Sequence, residues 1–484
     1  MKPRTRLILW LLTLPMTCFN VLPQESPSTL PPERLPEVAA TLSEIQSDLR
    51  AGRLREARAK LADETRRNPN NALAWTLLGM TSVRLGETAQ AVPAYEHAVA
   101  LGPDDPRPFL DLGLLYAARA EIQKAIAAYE KGLALDPRNG TACYNYAKLL
   151  IAVENYSEAS EALRRAVSIA PHDQEARLAL VDVLLRSGEK AEASENVGKF
   201  LKDPRTQTAT LVALGELLTR SAELRLAGTV LDRAIVSAPN SAPTQLAMSR
   251  LYLARRQVGK AIGFARRAVE SSPRSEPANL ALAEALISGQ RNREAAEFLL
   301  KSQDQFDSSA AYHYTLGIAQ YRAAQFTPAI SSLRKAIQLD PTLDTAQFLL
   351  GQVFFGAGDL DQAEEYLKKA TALKPRNVLY LIYLARVYDL KGGDYRQEAT
   401  EVTNRILELD PEEAEGRERQ AKWAIEGGDL AGARALLEKV VETLPKRIPA
   451  RVMLATVYYR LKLRKQGDEQ RKIIRELEAE TQVR

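Results

Sequence analysis

The chain has 484 residues, of which 45% are hydrophobic and 26% charged, and its formal net charge is +5. Charges of both signs are interspersed, which argues against nucleic-acid binding, because that function needs a concentrated basic patch with aromatic residues. Two cysteines exclude a disulfide framework. The composition does not change after about residue 38, so the length is interpreted as one elongated domain.

The N-terminus has the pattern of an export signal. Positively charged residues, including Lys2 and Arg4, precede an apolar run at 7–16. Such a run suits a secretory signal peptide and is shorter than the roughly 20 residues of a membrane-spanning helix. We therefore predict a signal peptide or N-terminal anchor at 1–22. Lipidation at Cys18, as in bacterial lipoproteins, is an alternative, although the residues before Cys18 match that motif poorly.

Residues 23–37 follow as a proline-rich segment with Ser, Glu and Gln between the prolines. This composition is typical of an extended linker. The linker would hold the rest of the chain away from whatever the N-terminus is attached to. A mature N-terminal tail without a role is the alternative.

From residue 38 onward one alanine recurs with a fixed spacing. The interval is 34 residues nine times, then 36, then 34 again. A period of this length over most of a chain indicates stacked supersecondary units and an extended binding surface. The recurring alanines are Ala57, Ala91, Ala125, Ala159, Ala193, Ala227, Ala261, Ala295, Ala329, Ala363, Ala399 and Ala433.

Other positions keep the same register. A small residue, often glycine, lies twelve residues before most of the alanines, and a proline lies twelve residues after most of them. Apolar residues at helical spacing flank both, which predicts two antiparallel helices per unit with closely approaching backbones.

Glycine is frequent between the helices, as at Gly86 and Gly188. The proline is placed in the first turn of the next helix, and an aspartate before it, such as Asp136, as that helix's cap. Units around Val181 and Asp307 depart most from the pattern, so irregularities are expected there.

The unit resembles the tetratricopeptide repeat (TPR) family. The clearest match is Trp75, Leu78, Gly79, Ala91, Tyr95, Ala98 and Pro103, and the next is Phe109, Leu112, Gly113, Tyr116, Ala125, Tyr129 and Pro137. The resemblance covers 38–484 and implies an all-α fold, a right-handed superhelical solenoid of antiparallel helix pairs with about 12–13 TPR units. The charged segment 465–484 is predicted to be the C-terminal capping helix.

In this family the first helices line a concave groove, and certain positions of each unit tend to face a bound partner. Carried onto this chain, those positions supply cations and aromatic residues, a composition that favours acidic or C-terminal peptide segments. The alternative is that a cation at the end of the first helix complements the helix dipole without any partner. The candidate binding residues are Arg84, Tyr144, Lys148, Arg186, Arg220, Arg250, Tyr314, Arg322, Phe348, Arg386, Tyr459 and Arg460.

Nothing in the sequence indicates catalysis, a metal or a cofactor. None of the three histidines has a partner at metal-ligand spacing, and no phosphate-binding glycine loop occurs. His313 occupies the slot that Trp75 fills in its own unit, so a packing role is expected. Cys143 occupies the same slot and is interpreted as a small buried apolar residue.

The sequence thus predicts a non-enzymatic protein–protein interaction scaffold, exported to a periplasmic or envelope location and binding protein partners in the groove. A fixed structural or assembly subunit of a secretion or envelope-polymer complex is one alternative. A membrane-anchored intracellular regulator is another. Membrane contact is expected only through the N-terminus, if that segment stays uncleaved or is lipidated at Cys18.

Overall fold

The computed structural model describes residues 35–482, and the side chains of residues 41–480. The predicted signal segment 1–22 lies outside the described residues, as does all of the predicted linker 23–37 except its last three residues. Those three already belong to the first helix, which begins at Leu35. The described chain is helical throughout and contains no β-strand, which confirms the predicted all-α class.

Twenty-six α-helices form two compact units within the described residues, one ending at Pro239 and one beginning at Asn240. The first unit contains α1 (Leu35–Arg50), α2 (Leu54–Arg67), α3 (Ala72–Arg84), α4 (Thr88–Ala100), α5 (Arg107–Ala118), α6 (Ile122–Leu135), α7 (Gly140–Ala152), α8 (Tyr156–Ile169), α9 (Gln174–Arg186), α10 (Lys190–Lys202), α11 (Thr208–Arg220) and α12 (Leu224–Ser237). The second contains α13 (Ala242–Ala254), α14 (Val258–Ser271), α15 (Glu276–Ser288), α16 (Asn292–Ser302), α17 (Ala310–Arg322), α18 (Phe326–Leu339), α19 (Asp344–Ala357), α20 (Leu360–Leu373), α21 (Val378–Lys391), α22 (Arg396–Leu409), α23 (Ala414–Glu426), α24 (Leu430–Thr443), α25 (Ile448–Arg460) and α26 (Arg464–Gln482).

Each odd-numbered helix pairs with the even-numbered helix that follows, so the described chain contains thirteen helix pairs. Within both compact units the pairs stack one after another, as expected of a helical solenoid. We call the odd-numbered members first helices and the even-numbered members second helices. The last second helix, α26, buries Ile474. The capping role of 465–484 stays a prediction.

The turn between paired helices requires a left-handed residue in every pair. Glycine takes this conformation in some turns, as at Gly86 (φ 78°) and Gly188 (φ 84°). The same conformation also occurs where the residue is not glycine, for example at Ala120 (φ 59°) and Arg256 (φ 58°). Since L-residues adopt it at a cost of about 1–2 kcal/mol, the packing of the helices imposes this turn regardless of the residue.

The small residue of the first helix lets a large side chain of the second helix approach its backbone. A Cβ added to Gly79 would lie 2.9 Å from the ring of Tyr95, and one added to Gly317 would lie 2.7 Å from Cγ of Leu333. The large residue follows the small one by sixteen positions. The large side chain lies directly over the glycine and leaves no room for a Cβ there, which explains the recurring glycine.

One expected irregularity is present and the other is not. Near Asp307, α16 is shortened and a 3₁₀ turn at Gln303–Phe306 completes it. At Val181, by contrast, α9 is a regular helix of 13 residues. Val181 is accommodated because the residue sixteen positions later is Val197, smaller than the leucine or tyrosine found there in glycine-bearing units. Both valines are fully buried.

A recurring hydrogen bond explains which polar residues share the slot of Trp75. Trp75 donates through Nε1 to the carbonyl of Pro69 at 2.7 Å, and Asn279 donates through Nδ2 to the carbonyl of Pro273 at 2.9 Å. His313 Nε2 lies 3.0 Å from the carbonyl oxygen of Asp307. In each case the acceptor is the backbone carbonyl six residues earlier. The slot therefore suits a side chain that fills space and also donates a hydrogen bond to the preceding turn.

The prediction for the proline and the aspartate was wrong in position. Pro137 precedes α7 by three residues, and the Asp136 carboxylate accepts a hydrogen bond from the backbone N–H of Arg138 at 3.2 Å. The cap of α7 is Asn139, whose side chain accepts from the N–H of Ala142 at 3.0 Å. Aspartate therefore closes the turn around the proline, and a separate residue caps the helix.

Candidate binding surface

All twelve candidate residues lie on first helices, although the structure does not make them equivalent. Five are the last residues of their helices, namely Arg84, Arg186, Arg220, Arg322 and Arg460. The others lie within their helices: Tyr144 and Lys148 in α7, Arg250 in α13, Tyr314 in α17, Phe348 in α19, Arg386 in α21 and Tyr459 in α25.

Three of the arginines are exposed and unneutralised. Arg84 and Arg220 in the first unit, and Arg322 in the second, have no carboxylate at ion-pair distance among the described residues. Their guanidinium groups are available for bidentate contact with a carboxylate. Their position in the last helical turn also places them where a cation complements the helix dipole.

Other arginines already have partners. Arg186 pairs with Asp182 through Nε and Oδ2 at 3.0 Å and lies 5.7 Å from the centre of the Tyr156 ring. Arg460 donates to the carbonyl of Ile425 at 3.2 Å. Contact with a partner at these two positions would have to replace existing interactions.

Tyr144 and Lys148 form a half-buried pair on α7. The Lys148 Nζ lies 5.6 Å from the centre of the Tyr144 ring. Burial, with the carboxylates of Glu175 and Asp173 nearby, raises the pKa of Tyr144 to about 12. Burial also lowers the pKa of Lys148, and Glu175 opposes that shift. Tyr144 and Lys148 of α7 therefore lie near the acidic N-terminal end of the next first helix, α9.

In the second unit, the first helices α17, α19 and α21 carry a half-buried aromatic surface. It consists of Tyr314, Tyr321, Phe355 and Tyr383, all packed against the core. Phe355 and Tyr383 meet edge to face with ring centroids 6.0 Å apart. Phe348, a candidate for partner contact, is instead 9% exposed because it stacks on Tyr380 with centroids 4.4 Å apart. It supports this surface from below.

A charged network follows on α21 and α23, and sequence reasoning did not find it. Glu415 accepts from Nε of Arg386 at 2.9 Å, and Arg386 also lies over the ring of Tyr383 at 4.7 Å. Arg419, which is 7% exposed, donates through Nε to Asp389 at 2.6 Å. The sequence does carry a signal for this network, because Arg386 and Asp389 of one first helix are opposite in charge to Glu415 and Arg419 of the next.

At the C-terminal end, Tyr459 lines a surface depression of about 700 Å³ between α25 and α26. Its hydroxyl donates to Asp468 at 2.6 Å, and its ring covers Gly467, where an added Cβ would lie 2.8 Å from the ring. This explains why Gly467 replaces the usual alanine of the repeat. Tyr459 thus stabilises the last helix pair as well as facing the surface.

An unusual carboxylate lies among the first helices of the first unit. Asp111, half-buried in α5, accepts a hydrogen bond from the hydroxyl of Tyr95 at 2.7 Å. Burial raises the pKa of Asp111 to about 6, although the Tyr95 hydrogen bond and Arg107 act in the opposite direction. Above that pH the folded protein holds a poorly solvated charge in this position.

We expect Asp111→Asn to stabilise the protein at pH 7.5 by about 3 kcal/mol, since the pKa rises from 3.8 to about 6 and each unit corresponds to about 1.4 kcal/mol. A raised pKa means that the folded state binds the proton more tightly than the unfolded state. Stability is therefore lost as the pH rises from the ordinary aspartate pKa toward 6. Thermal unfolding of parent and variant at pH 7.5 and pH 4 measures this, and the gain should vanish at pH 4. Equal melting temperatures at pH 7.5 would contradict it.

The described residues contain no group of three or more His, Cys, Asp or Glu side chains that could hold a metal ion. None of their helices is long and apolar enough to cross a membrane.

Two known proteins are similar in sequence to parts of this chain. Anaphase-promoting complex subunit 3 of Schizosaccharomyces pombe is 25% identical over 159 residues, which are 33% of this chain and 24% of that protein. BBSome complex member BBS4 of Bos taurus is 36% identical over 98 residues, which are 20% of this chain and 18% of that protein. The chain therefore matches a quarter or less of the length of these relatives.

Among solved structures, the APC/C hetero-tetramer Cut9-Hcn1 aligns with 85% of this chain and 95% of its own, at 14% identity and a TM-score of 0.41. The family itself is shown by models described as tetratricopeptide repeats. They match residues 42–106, 314–378 and 348–413, and, with a second model, 116–168 and 150–197. These matches extend over about half of the chain and coincide with the helix pairs described above. The chain belongs to the tetratricopeptide repeat family.

Proposed function

We propose that this protein is a non-enzymatic interaction scaffold that binds segments of partner proteins on the surface of its first helices. The observation that carries the proposal is the set of exposed, unneutralised arginines, Arg84 and Arg220 in the first unit and Arg322 in the second. Arginine forks without a carboxylate of their own favour partners with acidic side chains or a C-terminal carboxylate. The aromatic surface of α17, α19 and α21 adds the residue types that dominate binding energy in protein interfaces.

The test uses the two arginines of the first unit, because neither has an ion pair to disrupt. Arg84→Glu combined with Arg220→Glu is expected to abolish capture of partner proteins in a crosslinked pull-down from the native host, read by mass spectrometry. The matched control is Lys131→Glu combined with Arg225→Glu, two exposed cations on the second helices α6 and α12. Helical content and melting should be unchanged in both variants. Unaltered capture by the first variant would refute the proposed surface.

A fixed assembly subunit is the second candidate. Both partial relatives are named as members of multi-subunit complexes, and a repeat array can be a permanent part of such an assembly. One stoichiometric partner, without which the array loses stability, would favour this role. Several partners captured in a salt-sensitive way would favour the scaffold.

Export to a bacterial-type envelope is also part of the proposal, based on the charged start and apolar run of residues 1–22. The N-terminal peptide read in the same pull-down tests it. A processed N-terminus with envelope partners would support export, and an intact Met1 with cytoplasmic partners would refute it.

A further inference from the structure

The hairpin of α13 and α14 carries a line of cations that the rest of the fold does not neutralise. Between residues 250 and 274 the chain has seven Lys and Arg and a single acidic residue, Glu270. Arg256, Lys260 and Arg267 are exposed and have no ion pair among the described residues. Lys260 and Arg267 are seven residues apart and therefore lie on one face of α14. Arg256 occupies the left-handed turn that precedes this helix.

Stacked aromatic rings hold two of these cations in place. Tyr252 of α13 and Phe264 of α14 stack with centroids 5.2 Å apart and an interplanar angle of 13°. Lys260 Nζ lies 5.2 Å from the centre of the Tyr252 ring, and the Arg267 guanidinium lies 4.2 Å from that of Phe264. A ring orders a cation without cancelling its charge, so the charges are positioned and still available.

The hairpin of α19 and α20 provides an internal comparison, because its residues correspond at an interval of 102. Phe354 and Tyr366 repeat the ring stack, with centroids 5.7 Å apart. Lys369, at the position of Arg267, also lies over its ring but forms an ion pair with Glu365 at 2.5 Å. The stack is therefore common to both hairpins, whereas the free positive charge is particular to α14.

Glycine takes the place of the neutralising acid in α14. Gly263 corresponds to Glu365, and Gly259 corresponds to Asp361, which pairs with Lys391 of α21. A Cβ added to either glycine would meet no atom within 4 Å. The face between Lys260 and Arg267 is consequently open, and the backbone of another chain can approach it closely.

We infer that this face of α14, made of Gly259, Lys260, Gly263 and Arg267, is a second docking surface and binds an acidic helical segment of a partner protein. It lies on a second helix, and so is distinct from the first-helix surface of the proposed function. A helix with carboxylates at i and i+7 and a small residue at i+3 matches the spacing of Lys260, Arg267 and Gly263.

Charge and exposure favour a polypeptide over the other anionic macromolecules. No large apolar side chain between residues 250 and 274 is exposed to insert into a bilayer. The rings of Tyr252 and Phe264 face one another under Lys260 and Arg267, so they offer no free face on which nucleobases could stack.

The experiment measures, by anisotropy, binding of the full chain to a fluorescent, alanine-based helical peptide with glutamates spaced seven residues apart. Binding is expected to weaken as salt rises. Gly263→Glu, which rebuilds the arrangement of α20, should weaken binding about tenfold by neutralising Arg267. Gly263→Gln has the same shape without the charge and should weaken it much less. Melting should not fall in either variant, because both replace an exposed helical glycine.

Two further arms complete the test. Lys131→Glu with Arg225→Glu, which removes the same number of exposed cations from the second helices α6 and α12, should leave peptide binding unchanged. Vesicles of phosphatidylserine and phosphatidylcholine, and single-stranded oligothymidylate, are titrated in parallel. The inference is overturned if the peptide does not bind, if the Glu and Gln variants weaken binding equally, or if only vesicles or oligonucleotide bind in a Gly263→Glu-sensitive way.

Discussion

Gly317→Val is expected to destabilise the protein by about 3 kcal/mol, the upper end of the usual cost of overpacking a core. Gly317 lies in the first helix α17, and a Cβ there would lie 2.7 Å from Cγ and 2.8 Å from Cδ2 of Leu333. Leu333 is fully buried and cannot move aside. Thermal or urea unfolding of parent and variant gives the change directly.

The chain itself supplies the rescue for this variant. Val181 and Val197 occupy the corresponding positions in α9 and α10, and both fit. Leu333→Val introduced together with Gly317→Val reproduces that pair and should recover a large part of the lost stability, while Leu333→Val alone costs about 1–2 kcal/mol. If the two substitutions are simply additive, the close approach at this position does not explain the recurring glycine.

Much of the fold could be predicted because each unit repeats the same physical requirement. The close approach of paired helices demands a small residue, as at Gly79, and the large residue that covers it, as at Tyr95, is also periodic. The left-handed turn was predicted where glycine marks it, yet Ala120 adopts the same conformation. No propensity predicts that alanine, since the packing of the two helices imposes the turn from outside.

The candidate surface was less predictable, because family positions indicate which way a residue points and not what it already touches. Arg84 and Arg186 occupy equivalent positions, but Asp182 neutralises only Arg186. Phe348 was assigned to the surface and is buried by Tyr380 of the next unit. The distinction depends on pairs of residues in neighbouring units, which a reading of one unit at a time does not include.

The charged network of the second unit is the other place where a single substitution should have a large effect. The Glu415 carboxylate accepts from Arg386 Nε at 2.9 Å, and Arg419 Nη2 lies 3.6 Å from it. Only 8% of the Arg419 side chain is exposed. Removing one partner from a buried charge cluster leaves the remaining charges uncompensated, which costs about 3–5 kcal/mol for fully buried pairs.

We therefore expect Glu415→Gln to destabilise the protein by about 2–3 kcal/mol at pH 7. This is less than the cost for a fully buried pair because 20% of the Glu415 side chain is exposed. The pKa of Glu415 is lowered in the folded state. Burial acts to raise it, but the hydrogen bond from Arg386 and the charges of Arg386 and Arg419 outweigh that effect. A lowered pKa contributes stability that is complete above the ordinary glutamate value and is lost as the pH falls through the folded one.

The difference between parent and variant should accordingly be full at pH 7 and shrink as the pH falls below about 4. Glu365→Gln is the matched control, since Glu365 pairs with Lys369 on α20 with both side chains 49% exposed. An exposed pair of this kind contributes at most about 0.5 kcal/mol. Urea unfolding of the three proteins at pH 7 and pH 3.5 separates the two cases. A loss in Glu415→Gln no larger than that in Glu365→Gln would mean that solvent already compensates the arginines, and that α21 and α23 are held together by their apolar contacts alone.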